Sequence, residues 1–327
     1  MEAPNTKPYK ITSDAVWFVS GCSSGIGQSL AQLIAKTSNR VAATARNPAD
    51  LSDIPDGEDV LKLPLDVCSK SSIESALAAT VKKWGRIDIV VNNAGYTLAG
   101  DAEGAEDEEA RAVMDTNFWG MVDVTKKALG IMRDENPKSG QQGGVIMNIS
   151  SIGGWAGFPG QAFYHASKFA MEGWTESVAK ELPTAWNRLR WCRFMIGQLI
   201  SVFLIVHLSI IEPGGVKTNY ATSSLKMMKG RHPAYSDPSS PANALLGYIQ
   251  SEQGRSTWTE PRDLAVAIYA VVSSGNRVPI RVPLGPDAWG LLNSDLESIR
   301  KDLDEFKNLS LGLGDSKQLE SINFLRK

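Results

Sequence analysis

Short apolar runs alternate with stretches of helical period from residue 16 onward. Residues 16–19, Val-Trp-Phe-Val, predict a buried strand that feeds a glycine-rich turn. Leu30, Leu33 and Ile34 then share one face of a helix. Further strands are predicted at 40–44, 60–65, 87–91, 145–149, 208–211 and 278–282. Residues 69–84 read as a helix with a Ser start and Gly85 as its stop. Ile87 to Val91 is apolar except for Asp88, as expected of a strand covered on both faces. The acids at 106–109 open a long helix running to about residue 134, with negative charge at the favourable end of its dipole. Helices are also predicted at 162–182, 263–272 and 287–309, whereas 220–260 is rich in Ser, Pro and Gly and shows no strong period. Alternating strand and helix predict a Rossmann-type α/β fold, a doubly wound parallel sheet with helices on both faces, in one domain. The organisation expected is a polar tail at 1–14, the dinucleotide-binding and catalytic domain at 15–285, and a helical extension at 286–327.

Composition narrows the function. The 36 acids against 34 Lys and Arg leave a net charge of −2. That gives no basic field to hold nucleic acid. Three cysteines and three histidines without ligand-like spacing argue against both a disulfide framework and a zinc site. The polar start is not a secretory signal, so a cytoplasmic location is expected.

Candidate chemistry begins at Ser20-Gly21-Cys22-Ser23-Ser24-Gly25-Ile26-Gly27, between the first strand and first helix. Glycines there permit a tight turn and close approach of a pyrophosphate to the helix N-terminus. The same letters also match the G-x-S-x-G nucleophile elbow, which keeps open an α/β-hydrolase using Ser23. Against it, the motif follows the first strand, and no H-G-G-G oxyanion segment exists. Asp66 after the third strand can accept from an adenine amino group. Asn93, Ala94 and Gly95 after the fourth let backbone approach a ribose. Both lie at strand carboxyl ends, where open α/β sheets bind ligands. The second strand ends in Ala45-Arg46 with no acid, and a guanidinium there suits a 2′-phosphate, so NADP(H) is preferred over NAD(H).

Tyr164 and Lys168, four apart, share a helix face, and Ser151 ends the fifth strand. An ammonium beside a phenol favours the charged phenolate. With the glycine loop, the N-N-A-G turn and the Y-x-x-x-K pair in one chain, residues 15–220 resemble the short-chain dehydrogenase/reductase family, in particular its NADP-preferring hydroxysteroid and retinol dehydrogenase-like members. Ser20 stands where the family usually has Thr. The resemblance implies a catalytic tetrad: Tyr164 as acid/base, Ser151 polarising the substrate oxygen, Lys168 lowering the Tyr pKa and binding the nicotinamide ribose, and Asn117 holding a relay water. It also implies that the Pro213-Gly214-Gly215-Val216-Lys217-Thr218 turn binds the carboxamide through Val216 and Thr218. The reading is then hydride transfer between a carbonyl and an alcohol, with a cofactor-binding regulatory protein that does not turn over as the alternative. A homodimer or homotetramer is expected.

Trp155, Phe158, Phe163, Tyr220, Leu225, Met227, Met228 and Tyr235 suit an apolar, bulky substrate, with 219–260 covering it. Residues 188–206 form an apolar insert that lengthens the connection from Lys168 to Pro213 beyond the family's usual one. The run 194–211 is long enough to span a bilayer, but its end must form the strand before the Pro-Gly turn. The insert reads better as a short in-frame intron translated as protein than as a monotopic flap.

Overall fold

The computed structural model describes residues 5, 8–141, 143–182, 206–221, 224–315 and 317–323. Among the described residues nine strands form in chain order: β1 (Val16–Val19), β2 (Arg40–Ala45), β3 (Val60–Pro64), β4 (Ile89–Asn92), β5 (Thr97–Ala99), β6 (Gly144–Ile149), β7 (Val206–Pro213), β8 (Leu225–Met227) and β9 (Arg281–Leu284). Seven of them make one parallel sheet in the order β3-β2-β1-β4-β6-β7-β9. The order reverses between β1 and β4, so the crevice at their carboxyl ends is the switch point where such sheets bind ligands. β5 and β8 form a separate two-stranded parallel ribbon above that end, with Thr97 opposite Leu225.

The helices are α1 (Gly25–Ile34), α2 (Lys70–Trp84), α3 (Asp107–Met114), α4 (Gly120–Asp134), α5 (Ala162–Glu181), α6 (Pro241–Gln250), α7 (Glu252–Arg255), α8 (Pro261–Ser273), α9 (Pro286–Glu305), α10 (Lys307–Leu311) and α11 (Lys317–Ser321). Strand alternation sends Trp17 and Val19 to one face of the sheet, where α1 and α8 cover them with Leu30, Ile34, Leu264 and Ile268. Phe18 faces the other side and packs with Leu77 of α2 and Val124 and Met132 of α4. Ser69 and Gly85 do cap α2: the Ser69 hydroxyl accepts from Ser72 N, and Gly85 adopts φ 77°.

Several boundaries differ from the sequence expectation. The helix expected at 106–134 is broken in register by a π-turn at Asp115–Trp119, between α3 and α4. The segment 220–260 is not featureless: Ser240 and Pro241 start α6, whose Leu245, Tyr248 and Ile249 recur at helical spacing. The final helix stops at Glu305 and resumes as α10. Of the apolar insert, 188–205 lies outside the described residues. Val206, counted with the insert from sequence, is instead the first residue of β7 and pairs with Gly144. Among the described residues no helix is long and apolar enough to cross a membrane.

Candidate active site

The glycine loop is held to the neighbouring strands by its own polar groups. Ser20 Oγ accepts from the backbone N–H of Asn93 (3.0 Å) and Ala94 (3.1 Å), so the hydroxyl that replaces the family's Thr ties β1 to the turn after β4. The Asn93 amide donates to Ser20 O and Gly21 O. Its side chain is therefore a clasp on the loop. Gly21 needs φ +70°, and a Cβ on Gly27 would collide with Gly21 O and the Asn93 amide. Ser24 caps α1 without a side-chain hydrogen bond, and the first turn of α1 holds no acid. The positive end of α1 is thus open to an anion. Cys22 N donates to Thr44 O (2.8 Å), which brings the end of β2 against the loop. Arg46 is exposed two residues beyond Thr44. Asp66, also exposed, accepts from Cys68 N in a turn just past β3. Turn, helix end and strand-end side chains fit a dinucleotide.

On the next strand and helix, Ser151 follows β6 and α5 carries Tyr164 and Lys168 one turn apart. Lys168 Nζ lies 5.8 Å from the Tyr164 ring centroid and donates to Ile149 O (2.7 Å). Burial lowers the Lys168 pKa to about 8, against the pull of Glu172. Burial also raises the Tyr164 phenol well above its ordinary value, helped by Tyr220, and the Ser151 hydrogen bond only partly offsets this. The net shift of Tyr164 is upward, set first by its burial. Asn117 sits in the π-turn, fully buried. Its side chain binds the backbone of Tyr96 at both ends, accepting from N (3.0 Å) and donating to O (2.9 Å), and it donates to Ser167 Oγ (3.0 Å). Both amide protons are taken, so the side chain positions β5 and α5. A Cβ on Gly95 would sit 3.0 Å from Asn117 Oδ1 and 3.9 Å from Lys168 Nζ.

Behind these residues lies a buried ionic cluster that sequence reasoning missed. Glu172 accepts from Ser150 Oγ (2.6 Å) and pairs with Arg281, which also binds Glu212 Oε1 (2.7 Å). Burial raises Glu212 to about 7, and the nearby Glu172 adds to the shift while Arg281 opposes it. The Trp155 ring covers the Arg281 guanidinium at 4.8 Å, a cation–π contact. Arg281 lies 109 and 69 residues from Glu172 and Glu212 in sequence, so no local spacing could reveal the cluster.

A cavity of about 350 Å³ joins the parts. Ile26 of the glycine loop, Ser151, Tyr164 and the Pro213, Gly214, Val216 and Thr218 turn all line it. Its outer wall is Phe158, Tyr220, Leu245, Tyr248, Trp258 and Leu291. Of the aromatics and methionines expected here, Phe158 and Tyr220 line the cavity. Phe163 and Met228 pack instead in a satellite core with Leu98, Leu225 and Met227 lie on β8, and Tyr235 bonds Glu103. The helical spacing of Leu245 and Tyr248 was the available signal for α6. Asp287, the first-turn acid of α9, accepts from Gly215 N (2.6 Å) and latches the Pro-Gly turn.

The family profile of short chain dehydrogenases matches residues 15–186. The chain belongs to the short-chain dehydrogenase/reductase family. It is 41% identical to oxidoreductase calM of Penicillium decumbens over 95% of this chain and 96% of that protein. It is 31% identical to 3-ketodihydrosphingosine reductase of Bacteroides thetaiotaomicron over 82% of this chain and 87% of that protein. A short-chain dehydrogenase structure from Streptomyces avermitilis superposes with a TM-score of 0.76 at 29% identity, covering 93% of this chain and all of that one. A Burkholderia phymatum structure with NAD (TM-score 0.69, 19% identity, 89% of this chain and 97% of that one) and a Burkholderia cenocepacia structure with NADP (0.62, 21%, 89% and 98%) share the fold. As a short-chain dehydrogenase/reductase, the chain is an oxidoreductase acting on CH–OH groups with a nicotinamide cofactor. The hydrolase reading of Ser23 is set aside by this membership.

Proposed function

We propose that the enzyme interconverts a ketone or aldehyde and the corresponding alcohol on an apolar small molecule, using NADP(H) and Tyr164 as the acid/base. The observation that carries this reading is the cavity in which Tyr164 and Ser151 meet an aromatic and aliphatic wall beside the glycine loop. When bound, NADP(H) supplies or accepts the hydride. Tyr164, kept protonated by its burial, gives its proton to the oxygen being reduced and takes one back in the reverse direction. Ser151 orients that oxygen by a hydrogen bond. Lys168 holds the ribose hydroxyls and places a positive charge beside the phenol. Asn117, whose amide is committed to Tyr96 and Ser167, holds the relay water. Val216 and Thr218 hold the carboxamide, Gly21 to Gly27 the pyrophosphate, Asp66 the adenine, and Ala94 and Gly95 the ribose. Arg46, at the end of β2, binds the 2′-phosphate. The Bacteroides relative, named for reducing a keto compound, supports the carbonyl–alcohol assignment.

Turnover of a panel of apolar ketones and alcohols, with NADPH or NADP⁺, tests the assignment. Tyr164→Phe is expected to lose at least ~10²-fold in kcat, the usual worth of a positioned acid/base, while keeping the wild-type Kd for NADPH. A Phe variant with wild-type turnover would show that another group moves the proton. A wild-type protein that binds NADPH but turns over nothing in the panel would favour the regulatory reading. Cofactor choice has its own test. Ala45→Asp with Arg46→Leu removes the phosphate clamp and adds a repelling charge, so kcat/KM should shift toward NADH by about tenfold or more. An unchanged ratio would sink the Arg46 assignment.

A further inference from the structure

His165 follows Tyr164 on α5, lines the same cavity and plays no part in the proton transfer. Only 5% of it is exposed. The ring is caged. Phe158 meets it edge-on at 5.3 Å and Tyr164 at 5.5 Å, and a Cβ on Gly153 would lie 2.5 Å from Nδ1. Glycine at 153 is what lets the imidazole settle against the loop after Ser151. The Gly153 carbonyl also fixes the tautomer. A carbonyl oxygen only accepts, so Nδ1, 2.9 Å from it, carries the proton. Burial holds the His165 pKa below its ordinary value, and the bond to Gly153 only partly opposes this. The neutral ring then has a lone pair on Nε2, and that nitrogen is buried with no partner among the described residues. An unpaired buried acceptor destabilises the empty site until a ligand donor meets it.

One turn earlier, Gln161 is also buried and lines the cavity, and its main-chain carbonyl accepts from His165 N (3.0 Å). The Gln161 side-chain oxygen accepts from Tyr220 Oη (3.0 Å), while its amide nitrogen donates to no described residue. An acceptor and a donor thus stand one turn apart at the start of α5. A hydroxyl complements both, donating to Nε2 and accepting from the amide. Charge rules out ionic groups in its place. Among the described residues no Lys or Arg lines the cavity, so a carboxylate or phosphate would meet the Nε2 lone pair and Asp287 with no cation beside it. An ammonium would be buried without a free carboxylate. Asp287 uses Oδ1 on Ala288 N (3.0 Å) and Oδ2 on Gly215 N (2.6 Å).

We infer that the substrate is uncharged and carries, besides the reacting carbonyl or alcohol, a second oxygen as a hydroxyl, which His165 Nε2 and the Gln161 amide recognise. This rests on the carbonyl–alcohol reading of the same cavity and names the second polar group of its substrate. The Tyr164 and His165 ring centroids are 5.5 Å apart. The two oxygens therefore lie a few bonds from one another in one small molecule.

Ten-carbon methyl ketones test it in three forms: the parent ketone, hydroxy ketones with the hydroxyl at each carbon from the third to the sixth, and the methyl ethers of those hydroxy ketones. With NADPH, at least one hydroxy ketone should exceed both its ether and the parent by ~10-fold or more in kcat/KM. A site with buried polar groups rejects an analogue that leaves them unpaired. His165→Phe should bring these ratios to within about twofold of one. A ratio between substrates on one variant does not depend on how much of that variant folds. Wild-type protein labelled with nitrogen-15 at histidine gives a readout that needs no variant. A hydroxy ketone added with NADP⁺ should displace the signal of one unprotonated Nε2, and its ether should not. His207 and His232 do not line the cavity. Equal kcat/KM for all three forms overturns the inference and leaves the carbonyl–alcohol reading standing. A hydroxyl preference in Kd, measured with NADP⁺ so that no hydride is available, but with no turnover of any form by NADPH, would retain the hydroxyl site and overturn the reading on which it rests. A preference that survives in His165→Phe, or no binding by any form, also overturns the inference.

Discussion

Lys168 is the residue at which burial and chemistry pull hardest against each other. Its ammonium is almost completely buried, and its pKa is lowered to about 8. The charge is therefore half lost near pH 8, nearly complete a unit or more below it and largely gone a unit above. Since kcat/KM reports ionisations of the free enzyme, kcat/KM for NADPH should be flat at neutral pH and fall with a midpoint near 8. Lys168→Met should be low and lack that limb, and a limb retained in the Met variant would assign it to another group. The residues of this site were legible to the extent that their spacing is local. Tyr164 and Lys168 are one turn apart on one helix, and the glycine loop is eight consecutive residues. His165, beside Tyr164, was not legible. Its Nδ1 meets Gly153 O at 2.9 Å and its ring lines the cavity, a contact that depends on how the loop after β6 folds back.

At the scale of elements, α5, β7 and β9 are fastened by the Glu172, Glu212 and Arg281 cluster. Two buried carboxylates share one guanidinium, which leaves an excess negative charge inside the protein unless a proton is held. Glu212 holds it: its pKa is raised from 4.5 to about 7 by burial first and by Glu172 second. An acid whose pKa is higher folded than unfolded binds its proton more tightly in the native state. Stability from this group is thus present below pH 4.5 and is lost as pH rises toward 7. Glu212→Gln should remove that loss and raise stability at pH 8 by about 1 kcal/mol, or ~2–4 °C in Tm. The difference in Tm between variant and wild type should shrink as pH falls to 5, and a pH-independent difference would show that Glu212 is ionised throughout. Elements with a strong period were readable, as α2 with its Ser69 and Gly85 ends shows. β5 and β8 were not, because strands of three residues carry too little alternation to be seen without their partner.

For the whole molecule, the parallel, doubly wound sheet followed from alternating strand and helix, whereas the strand order and the pocket wall did not. The wall is assembled from α6, Trp258 and α9, far along the chain from Ser151 and Tyr164. The apolar insert poses the largest question of organisation. The family profile ends at residue 186, and β7 begins at Val206 already in register with β6. A chain lacking 188–205 keeps every described strand. Loop closure changes only with the logarithm of length, and a run of Phe, Leu, Ile and Val is removed. The shortened chain should be more soluble, at least as stable and within about twofold as active, by light scattering, Tm and turnover. Loss of folding or activity on deletion, with the codons present in the mature transcript, would make 188–205 a true structural element. The Asp287 latch on Gly215 carries one consequence for biosynthesis. Chains are made from the N-terminus at about 5–20 residues per second, and the glycine loop, Ser151 and Tyr164 emerge first. In the turn that completes the site at Pro213 to Thr218, the Gly215 N–H has no carboxylate to accept it until residue 287 has left the ribosome. A nascent or prematurely terminated chain can therefore present the whole proton-transfer group and still lack a finished site, so that activity counts completed polypeptides.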